Sequence, residues 1–214
     1  LPWDWEDYGG YLNSIEKFDL GINVAGMVGH TAVRYYVMGE RSVEELASDE
    51  EIKKMAEIVG ESMDGGAVGF STNRYPPHVG PDGRSIPGTY AEAKELLEIA
   101  KVVGEKRGLM QNVLDFGGQP EFSVKLLKDL ASTTRDRILF SMGTGPDLES
   151  GKRVRGLLKE LCSEGGDITA ISQPRSSGFM FGLQSGLPFA GETWEKIRAM
   201  DLKGRLAAIR DTET

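Results

Sequence analysis

Apolar residues along the chain form short continuous runs separated by longer stretches in which they recur at helical spacing. The continuous runs lie at residues 22–28, 67–71, 109–114, 138–141 and 168–172 and predict five short strands. Between them, apolar positions recur every three or four residues, which is typical of amphipathic helices that pack on a sheet. This regular alternation of strand and helix predicts a parallel sheet with right-handed crossover connections.

The run from Ile22 to Val28 is the most informative of the predicted strands. It is continuous rather than alternating and it ends at Gly29, which predicts a strand buried on both faces. His30 and Arg34 follow directly. The chain has only two histidines, so any site that needs an imidazole must use His30 or His78.

Two helix starts carry the spacing of a capping box. Ser48 with Glu51 predicts the start of a helix over 48–64, and Thr89 with Glu92 predicts the start of the next one. The segment 72–88 between them is rich in proline and glycine. A loop of this length inside a compact domain is usually functional or mobile, and we expect it to be one or the other.

Two architectures fit the alternation, an open doubly wound sheet and a (β/α)₈ barrel. The glycine-rich GxGxxG fingerprint of a dinucleotide-binding doubly wound sheet follows none of the predicted strands, which favours the barrel. A complete barrel takes about 250 residues. We therefore predict an α/β protein in which residues 1–214 form a single domain, an incomplete TIM-like (β/α) barrel with about five βα units.

Ligands of either architecture meet the side chains at the carboxyl ends of the strands. In this chain those positions are almost all polar, which predicts a ligand site, although strand ends are also polar simply because they contact water. The strand-end residues are His30, Arg34, Ser71, Thr72, Asn73, Arg74, Asn112, Asp115, Ser141, Gln173 and Arg175.

Individual roles follow from side-chain chemistry. Asp115 is the only carboxylate at a strand end, so it is the candidate general base, with capping of the following helix as the alternative. Arg34 and Arg175 are candidates for binding a substrate carboxylate, with a surface ion pair as the alternative. The predicted substrate-binding set also contains His30, Ser71, Tyr75 and Asn112. We predict no metal ligand within the chain.

Composition limits the classes of partner. The 33 acidic and 25 basic residues give a net charge of −8, and no basic patch is visible, which disfavours nucleic acid as a partner. No apolar run approaches the roughly 20 residues that cross a bilayer. Cys162 is the single cysteine, which excludes an internal disulfide, and its place after Leu161 predicts a core-facing thiol. We expect a soluble, cytoplasmic protein.

Several motifs resemble one enzyme family. NVAGMVGHTAVR at 23–34, DGGAVGFSTNRYPP at 64–77 and the helix start TYAEAKEL at 89–96 resemble the N-acyl-D-amino-acid deacylase (D-aminoacylase) branch of the amidohydrolase superfamily. The aromatic segment WDWEDYGGYL at 3–12 is similar to the segment before the same strand in that family. The resemblance is specific over about residues 3–100 and rests beyond them on the alternation of strands and helices.

The resemblance implies a metal-dependent hydrolase barrel that cleaves C–N (amide) bonds of a small acylated substrate, with zinc or a similar divalent metal in the full-length parent. Amidohydrolases bind their metal through a His-x-His pair on the first strand, histidines at the ends of two later strands and a late Asp. This chain has no His-x-His pair, and Gln111 or Asn112 and Ser141 or Met142 stand where the later histidines are expected. The resemblance therefore implies that ligands lie before Leu1 and after Thr214 of a longer chain.

Two alternatives to the hydrolase remain open at this point. The chain could be a non-catalytic ligand-binding barrel that has lost the metal site, because carboxamide, hydroxyl and thioether groups bind Zn²⁺ poorly. The segments GTGPD at 143–147 and DFGGQP at 115–120 could hold phosphate at helix N-termini. A partial barrel also exposes sheet edges and helix faces, so we expect association either with another copy, as a homo-oligomer, or with segments outside residues 1–214.

Overall fold

The computed structural model of the chain divides into two compact units, residues 1–172 and residues 173–214. Each unit is described by itself, and the prediction of one domain over the whole chain stays a prediction. The residues described are 2–80, 82–116, 118–134, 137–142, 148–163, 168–172, 182–184, 187, 189 and 191–211.

The first unit is built on one parallel sheet of five strands, which lie side by side in the order in which they occur in the chain. A doubly wound sheet reverses its strand order at a switch point, whereas strands added always on the same side are the arrangement of a barrel wall. The predicted α/β architecture of about five βα units is confirmed. The strands are β1 Met27–Gly29, β2 Gly69–Asn73, β3 Leu109–Val113, β4 Ile138–Ser141 and β5 Ile168–Ile171.

Helices connect successive strands, and the second unit contains two more. In the first unit they are α1 Tyr8–Glu16, α2 His30–Met38, a 3₁₀ turn at Gly39–Ser42, α3 Asp49–Asp64, α4 Ala93–Glu105, α5 Pro120–Thr134 and α6 Leu148–Ser163. In the second unit they are α7 Glu192–Arg198 and α8 Leu202–Arg210. None of the helices in the described part of the chain is long and apolar enough to cross a membrane.

The two faces of the sheet differ in burial because side chains alternate along each strand. Phe70, Met110 and Phe140 lie on the face that packs against the helices, and all three are fully or almost fully buried. On the other face, the neighbouring residues Ser71, Leu109, Gln111, Leu139 and Ser141 are only half-buried. We call this second face the open face; at the carboxyl ends of the strands it carries Ser71, Asn73, Gln111, Val113 and Ser141, as the register of the paired strands shows.

The predicted first strand is shorter than its apolar run. Only Met27–Gly29 pairs with β2, and the side chain of Ile22 is 76% exposed, so the prediction of a strand over 22–28 buried on both faces is wrong. A strand extends only as far as its neighbour offers hydrogen bonds, and β2 begins at Gly69, opposite Met27. Val28, which lies inside the paired segment, is buried as predicted.

One capping prediction is confirmed and the other is wrong. Ser48 and Glu51 form the reciprocal capping box at the start of α3. The helix α4 begins instead at Ala93 with Glu92 as its N-cap residue. Thr89 does not cap α4, because its hydroxyl donates to the carbonyl oxygen of Ile86 (2.9 Å) and closes a turn before the helix.

Cys162 is exposed, so the prediction of a core-facing thiol is wrong. Its neighbour Leu161 is buried in the core and Leu158 packs partly against it. The apolar face of α6 therefore passes through these two leucines. Cys162 is one residue beyond Leu161, about 100° around the helix, and so lies outside that face.

We predict that Ser48→Ala lowers the free energy of unfolding by about 1 kcal/mol, because the first turn of α3 loses the acceptor for the Glu51 N–H. Urea unfolding followed by circular dichroism measures the change. Ser132→Ala is the matched control, since the Ser132 hydroxyl is exposed and donates to a carbonyl within its own helix. Equal stability of Ser48→Ala and wild type would contradict the capping role.

Candidate functional site

His30 is the first residue of α2 and directly follows β1, so it lies at the carboxyl edge of the sheet. Its side chain is 1% exposed. Nδ1 lies 2.9 Å from Oγ1 of Thr72, and Nε2 lies 2.6 Å from Oε1 of Glu95. Because a carboxylate only accepts, the arrangement fits a neutral ring whose Nε2–H donates to Glu95 and whose Nδ1 accepts from Thr72.

Arg34 lies one turn further along α2 and reaches the same carboxylate. Its Nη1 donates to Oε2 of Glu95, its Nε to the carbonyl oxygen of Ser42 (2.9 Å) and its Nη2 to the carbonyl oxygen of Glu45 (2.6 Å). Glu95 therefore joins the imidazole and the guanidinium. We call His30, Arg34, Thr72 and Glu95 the Glu95 cluster; it ties α2, β2 and α4 together.

The electrostatics of the Glu95 cluster favour a charged carboxylate and a neutral imidazole. Burial lowers the pKa of His30 below its ordinary value, and this outweighs the opposite effect of Glu95. Burial by itself would raise the pKa of Glu95, but hydrogen bonds from His30 and Arg34 and the charge of Arg34 hold it below its ordinary value. A buried carboxylate is thus balanced by one buried guanidinium.

The Glu95 cluster changes the interpretation of two predicted substrate-binding residues. His30 and Arg34 are both buried, and both ring nitrogens of His30 and three nitrogens of Arg34 already have partners inside the protein. Their contact with a substrate stays a prediction. The sequence analysis missed Glu95, because a charged residue on an otherwise apolar helix face gives no local sign of partners 61 and 65 residues away.

The proline- and glycine-rich segment 72–88, which we call the Pro–Gly loop, has its end packed against His30. Gly88 has φ +96°, and a Cβ at this position would come 2.6 Å from Nδ1 of His30, so only glycine fits. The hydroxyl of Thr31 also donates to the carbonyl oxygen of Pro87 (3.1 Å). This end of the loop is therefore fixed to the Glu95 cluster.

A row of polar side chains crosses three strands on the open face. The Ser71 hydroxyl on β2 donates to Oε1 of Gln111 on β3 at 2.5 Å. Nε2 of Gln111 donates in turn to Oγ of Ser141 on β4 at 3.4 Å. The two hydrogen bonds hold the three side chains in a defined arrangement. All three are only half-buried, so they are accessible to a ligand. We call it the Gln111 row.

Asn112 lies on the opposite face of the sheet from the Gln111 row. It is fully buried and pairs in register with Thr72. Its Nδ2 donates to the carbonyl oxygens of Met110 (3.2 Å) and Leu139 (3.4 Å). The structure therefore does not bring the predicted ligand Asn112 to the open face, and its neighbour Gln111 occupies that position.

A second group of polar side chains lies beyond the end of β2. Oδ1 of Asn73 accepts from the backbone N–H of Tyr75 (2.9 Å), and Nδ2 of Asn73 hydrogen-bonds to Nδ1 of His78. The exposed ring of Tyr75 meets the His78 ring edge to face, with centroids 5.2 Å apart. Tyr75 thus lies at the rim of the open face, and its contact with a substrate stays a prediction.

Asp115 follows β3 and closes the turn that leads into α5. Its Oδ1 accepts from the backbone N–H of Gly118 (2.8 Å), and its carbonyl oxygen accepts from the hydroxyl of Ser123 (3.0 Å). The Asp115 carboxylate thus closes the turn before α5 and does not cap the helix itself, and its role as general base stays a prediction. Arg175 and the segment 143–147 lie outside the described residues.

The described strand ends do not fit a zinc site. Within the described residues, no group of three or more His, Cys, Asp or Glu side chains is placed to hold a metal ion. The accessible row offers hydroxyl and carboxamide groups from Ser71, Gln111 and Ser141, which are weak ligands for Zn²⁺ compared with imidazole.

No protein-family model matches the chain. Among curated proteins, it is 30% identical over 105 residues to a D-aminoacylase of Alcaligenes xylosoxydans xylosoxydans, a match of 49% of this chain and 19% of that protein. It is 25% identical over 118 residues to uncharacterized proteins of Mycobacterium bovis and Mycobacterium tuberculosis, again over 19% of their length. The chain thus spans about a fifth of the curated relatives it matches.

Solved structures of D-aminoacylases and a related deacylase have a similar fold. A D-aminoacylase described as having a binuclear metal centre superposes with a TM-score of 0.67 at 20% identity, over 79% of this chain and 34% of the other. The chain therefore resembles D-aminoacylases in sequence and in fold. The N-acyl-D-glutamate deacylase of Bordetella bronchiseptica was solved with zinc and a phosphonate inhibitor. It superposes with a TM-score of 0.61 over 77% of the present chain and 33% of the deacylase chain.

We predict that Glu95→Gln lowers the free energy of unfolding by about 3–5 kcal/mol, because it leaves the Arg34 guanidinium buried without its counter-charge. Chemical unfolding followed by fluorescence measures the loss. Glu98→Gln on the same helix is the matched control, since Glu98 forms an exposed pair with Lys101 and should change stability by less than about 0.5 kcal/mol. A loss for Glu95→Gln as small as that of Glu98→Gln would argue against the cluster.

We predict that stability falls on acidification. The native pKa values of His30 and Glu95 lie below their ordinary values of 6.5 and 4.5, so the unfolded chain binds more protons in acid. The contribution of His30 is complete above pH 6.5 and is lost as the pH falls through its native pKa; that of Glu95 is lost at still lower pH. The NMR spectrum of ¹³C-labelled histidine measures the first step.

Only two imidazole signals are expected in that spectrum, and His78→Gln assigns them. His30 should remain neutral when the pH falls below 6.5. Half-protonation of His30 at pH 6.5 or above in the folded protein would contradict the neutral tautomer.

Proposed function

We propose that the chain forms part of an amidohydrolase-like hydrolase that cleaves the C–N bond of a small N-acylated substrate. The observation that carries the proposal is the ordered Gln111 row at the carboxyl edge of a barrel-type sheet, on a fold like that of D-aminoacylases. Sequence similarity to a D-aminoacylase over half of the chain supports it. The substrate class proposed is an N-acyl amino acid.

Each group at the carboxyl edge has a chemical task in this proposal. Ser71, Gln111 and Ser141 hydrogen-bond the polar atoms of the substrate's acyl group and hold its carbonyl carbon open to water. Asp115 takes a proton from the attacking water and returns it to the leaving nitrogen as the C–N bond breaks. The Glu95 cluster fixes the edges of β2 and α2 on which these groups depend.

A divalent metal such as zinc belongs to the proposal only for the longer parent protein. The open-face residues described do not fit it, so its ligands would come from other parts of the parent. The D-aminoacylase and the N-acyl-D-glutamate deacylase, whose structures are described with metal, support this part of the proposal.

The Gln111 row also favours a second candidate function, a non-catalytic ligand-binding barrel. Carboxamide and hydroxyl groups can bind a neutral polar ligand without any metal. This function differs from the first by one measurable property, the absence of turnover. A cytoplasmic location, a homo-oligomer and the absence of a nucleic-acid partner also remain predictions.

We predict that the longest natural polypeptide that contains residues 1–214 releases amine from N-acetyl-D-amino acids faster than from the L-enantiomers. Fluorescamine measures the amine, and elemental mass spectrometry measures bound metal in the same samples. Asp115→Asn should lower the rate about 10²-fold or more. Asp129→Asn, which removes an exposed ion pair with Lys125, is the matched control.

Amine release unaffected by Asp115→Asn would remove the general base from the proposal. No amine release and no stoichiometric metal in any preparation would overturn hydrolysis and favour the ligand-binding barrel. Thermal melts of each variant show whether the turn that Asp115 closes is still formed.

A further inference from the structure

Arg74 directly follows β2, at the carboxyl edge of the sheet and one residue beyond Asn73 of the open face. Its backbone N–H continues the ladder by donating to the carbonyl oxygen of Val113 (2.8 Å). Its Nη1 donates to the carbonyl oxygen of Ala91, just before α4. Its Cζ lies 5.4 Å from the centre of the Phe122 ring, in the first turn of α5. Three elements therefore fix the position of this guanidinium.

The charge of Arg74 lacks a partner within the described residues. No carboxylate there lies within ion-pair distance of it, whereas Arg34 is paired with Glu95. Burial lowers the pKa of Arg74, and the more distant charge of Glu95 only partly opposes this. An arginine nonetheless stays protonated at physiological pH. A half-buried, permanent cation at the edge of the sheet attracts an anion.

The contact with the Phe122 ring involves the charge of Arg74 and no hydrogen-bond acceptor. The five N–H groups of a guanidinium lie in one plane. The hydrogen bond to Ala91 uses one of them. Within the described residues, the others have no acceptor. A planar, pre-oriented fork of this kind suits two-point binding of a carboxylate.

We propose that Arg74 binds the carboxylate of the acylated amino acid at the carboxyl edge of the sheet. The role rests on the proposed function and gives to Arg74 what the sequence analysis expected of Arg34. Side chains alternate along an extended strand, so that of Arg74 lies on the helix side of this edge, in agreement with its contacts with Ala91 and Phe122. The substrate carboxylate therefore binds at the rim of the sheet and not over the Gln111 row.

Isothermal titration calorimetry of the natural chain with N-acetyl-D-leucine, its methyl ester and inorganic phosphate tests this role. Wild type should bind the acid at least tenfold more tightly than the ester, and phosphate only weakly. Arg74→Gln should weaken binding of the acid at least tenfold and leave binding of the ester unchanged. Arg74→Lys keeps the charge but loses the fork, so its affinity for the acid should fall between the two.

Arg137→Gln is the matched control, because Arg137 precedes β4 at the opposite edge of the sheet and also donates to one backbone carbonyl, that of Arg107. It should leave binding of the acid unchanged. Thermal melts separate loss of the site from loss of the fold. If Arg74→Gln does not fold, the affinity of Arg74→Lys for the acid and the comparison of acid with ester in wild type still test whether Arg74 binds the carboxylate.

Four results would overturn the role of Arg74. They are equal affinity of wild type for acid and ester, an unchanged affinity of Arg74→Gln for the acid, phosphate binding as tight as that of the acid, and no binding of the acid at all. The amine-release assay fails or succeeds independently. Carboxylate binding without amine release would refute the proposed hydrolase function but support the Arg74 site. Amine release that Arg74→Gln leaves unchanged would support the hydrolase function but refute the Arg74 site.

Discussion

The buried carboxylate of Glu95 is the interaction on which the carboxyl edge of the sheet depends. It accepts hydrogen bonds from His30 and Arg34, which lie at the start of α2, while it belongs to the first turn of α4. A charge so deeply buried is tolerated only because each partner satisfies it. The same imidazole supports the end of the Pro–Gly loop through its contact with Gly88. The loop, two helices and the end of β2 are thus held by one cluster.

A second constraint, the pleat of the strands, decides which side chains lie on the open face. Gln111 and Asn112 are neighbours with similar side chains, yet one lies on the open face and the other is fully buried against the helices. The open face consequently carries a hydrogen-bonded row of hydroxyl and carboxamide groups. This row distinguishes the chain from a barrel whose strand ends bind zinc through imidazoles.

The similarity to D-aminoacylases and the composition of the open face are compatible if different parts of the parent carry different tasks. The described residues supply hydrogen-bond donors, a fixed guanidinium at Arg74 and a candidate base at Asp115. In the proposed function, these groups position a polar, anionic substrate. The chain spans about a third of the D-aminoacylase whose fold it shares. About two thirds of that enzyme thus has no counterpart in the matched part of this chain.

The sequence by itself determined the number of strands, the parallel sheet, the capping box at Ser48 and the set of polar strand ends, because these depend on local periodicity and hydrogen bonding. The order of the strands in the sheet, which distinguishes a barrel wall from a doubly wound sheet, came from the tertiary structure. The sequence could not determine the length of β1, which depends on β2, or the partner of Arg34, which is 61 residues away. Only the tertiary structure decided that Arg34 is paired internally and that Arg74 has no carboxylate partner among the described residues, because ion pairing depends on distances in space that spacing along the chain does not encode.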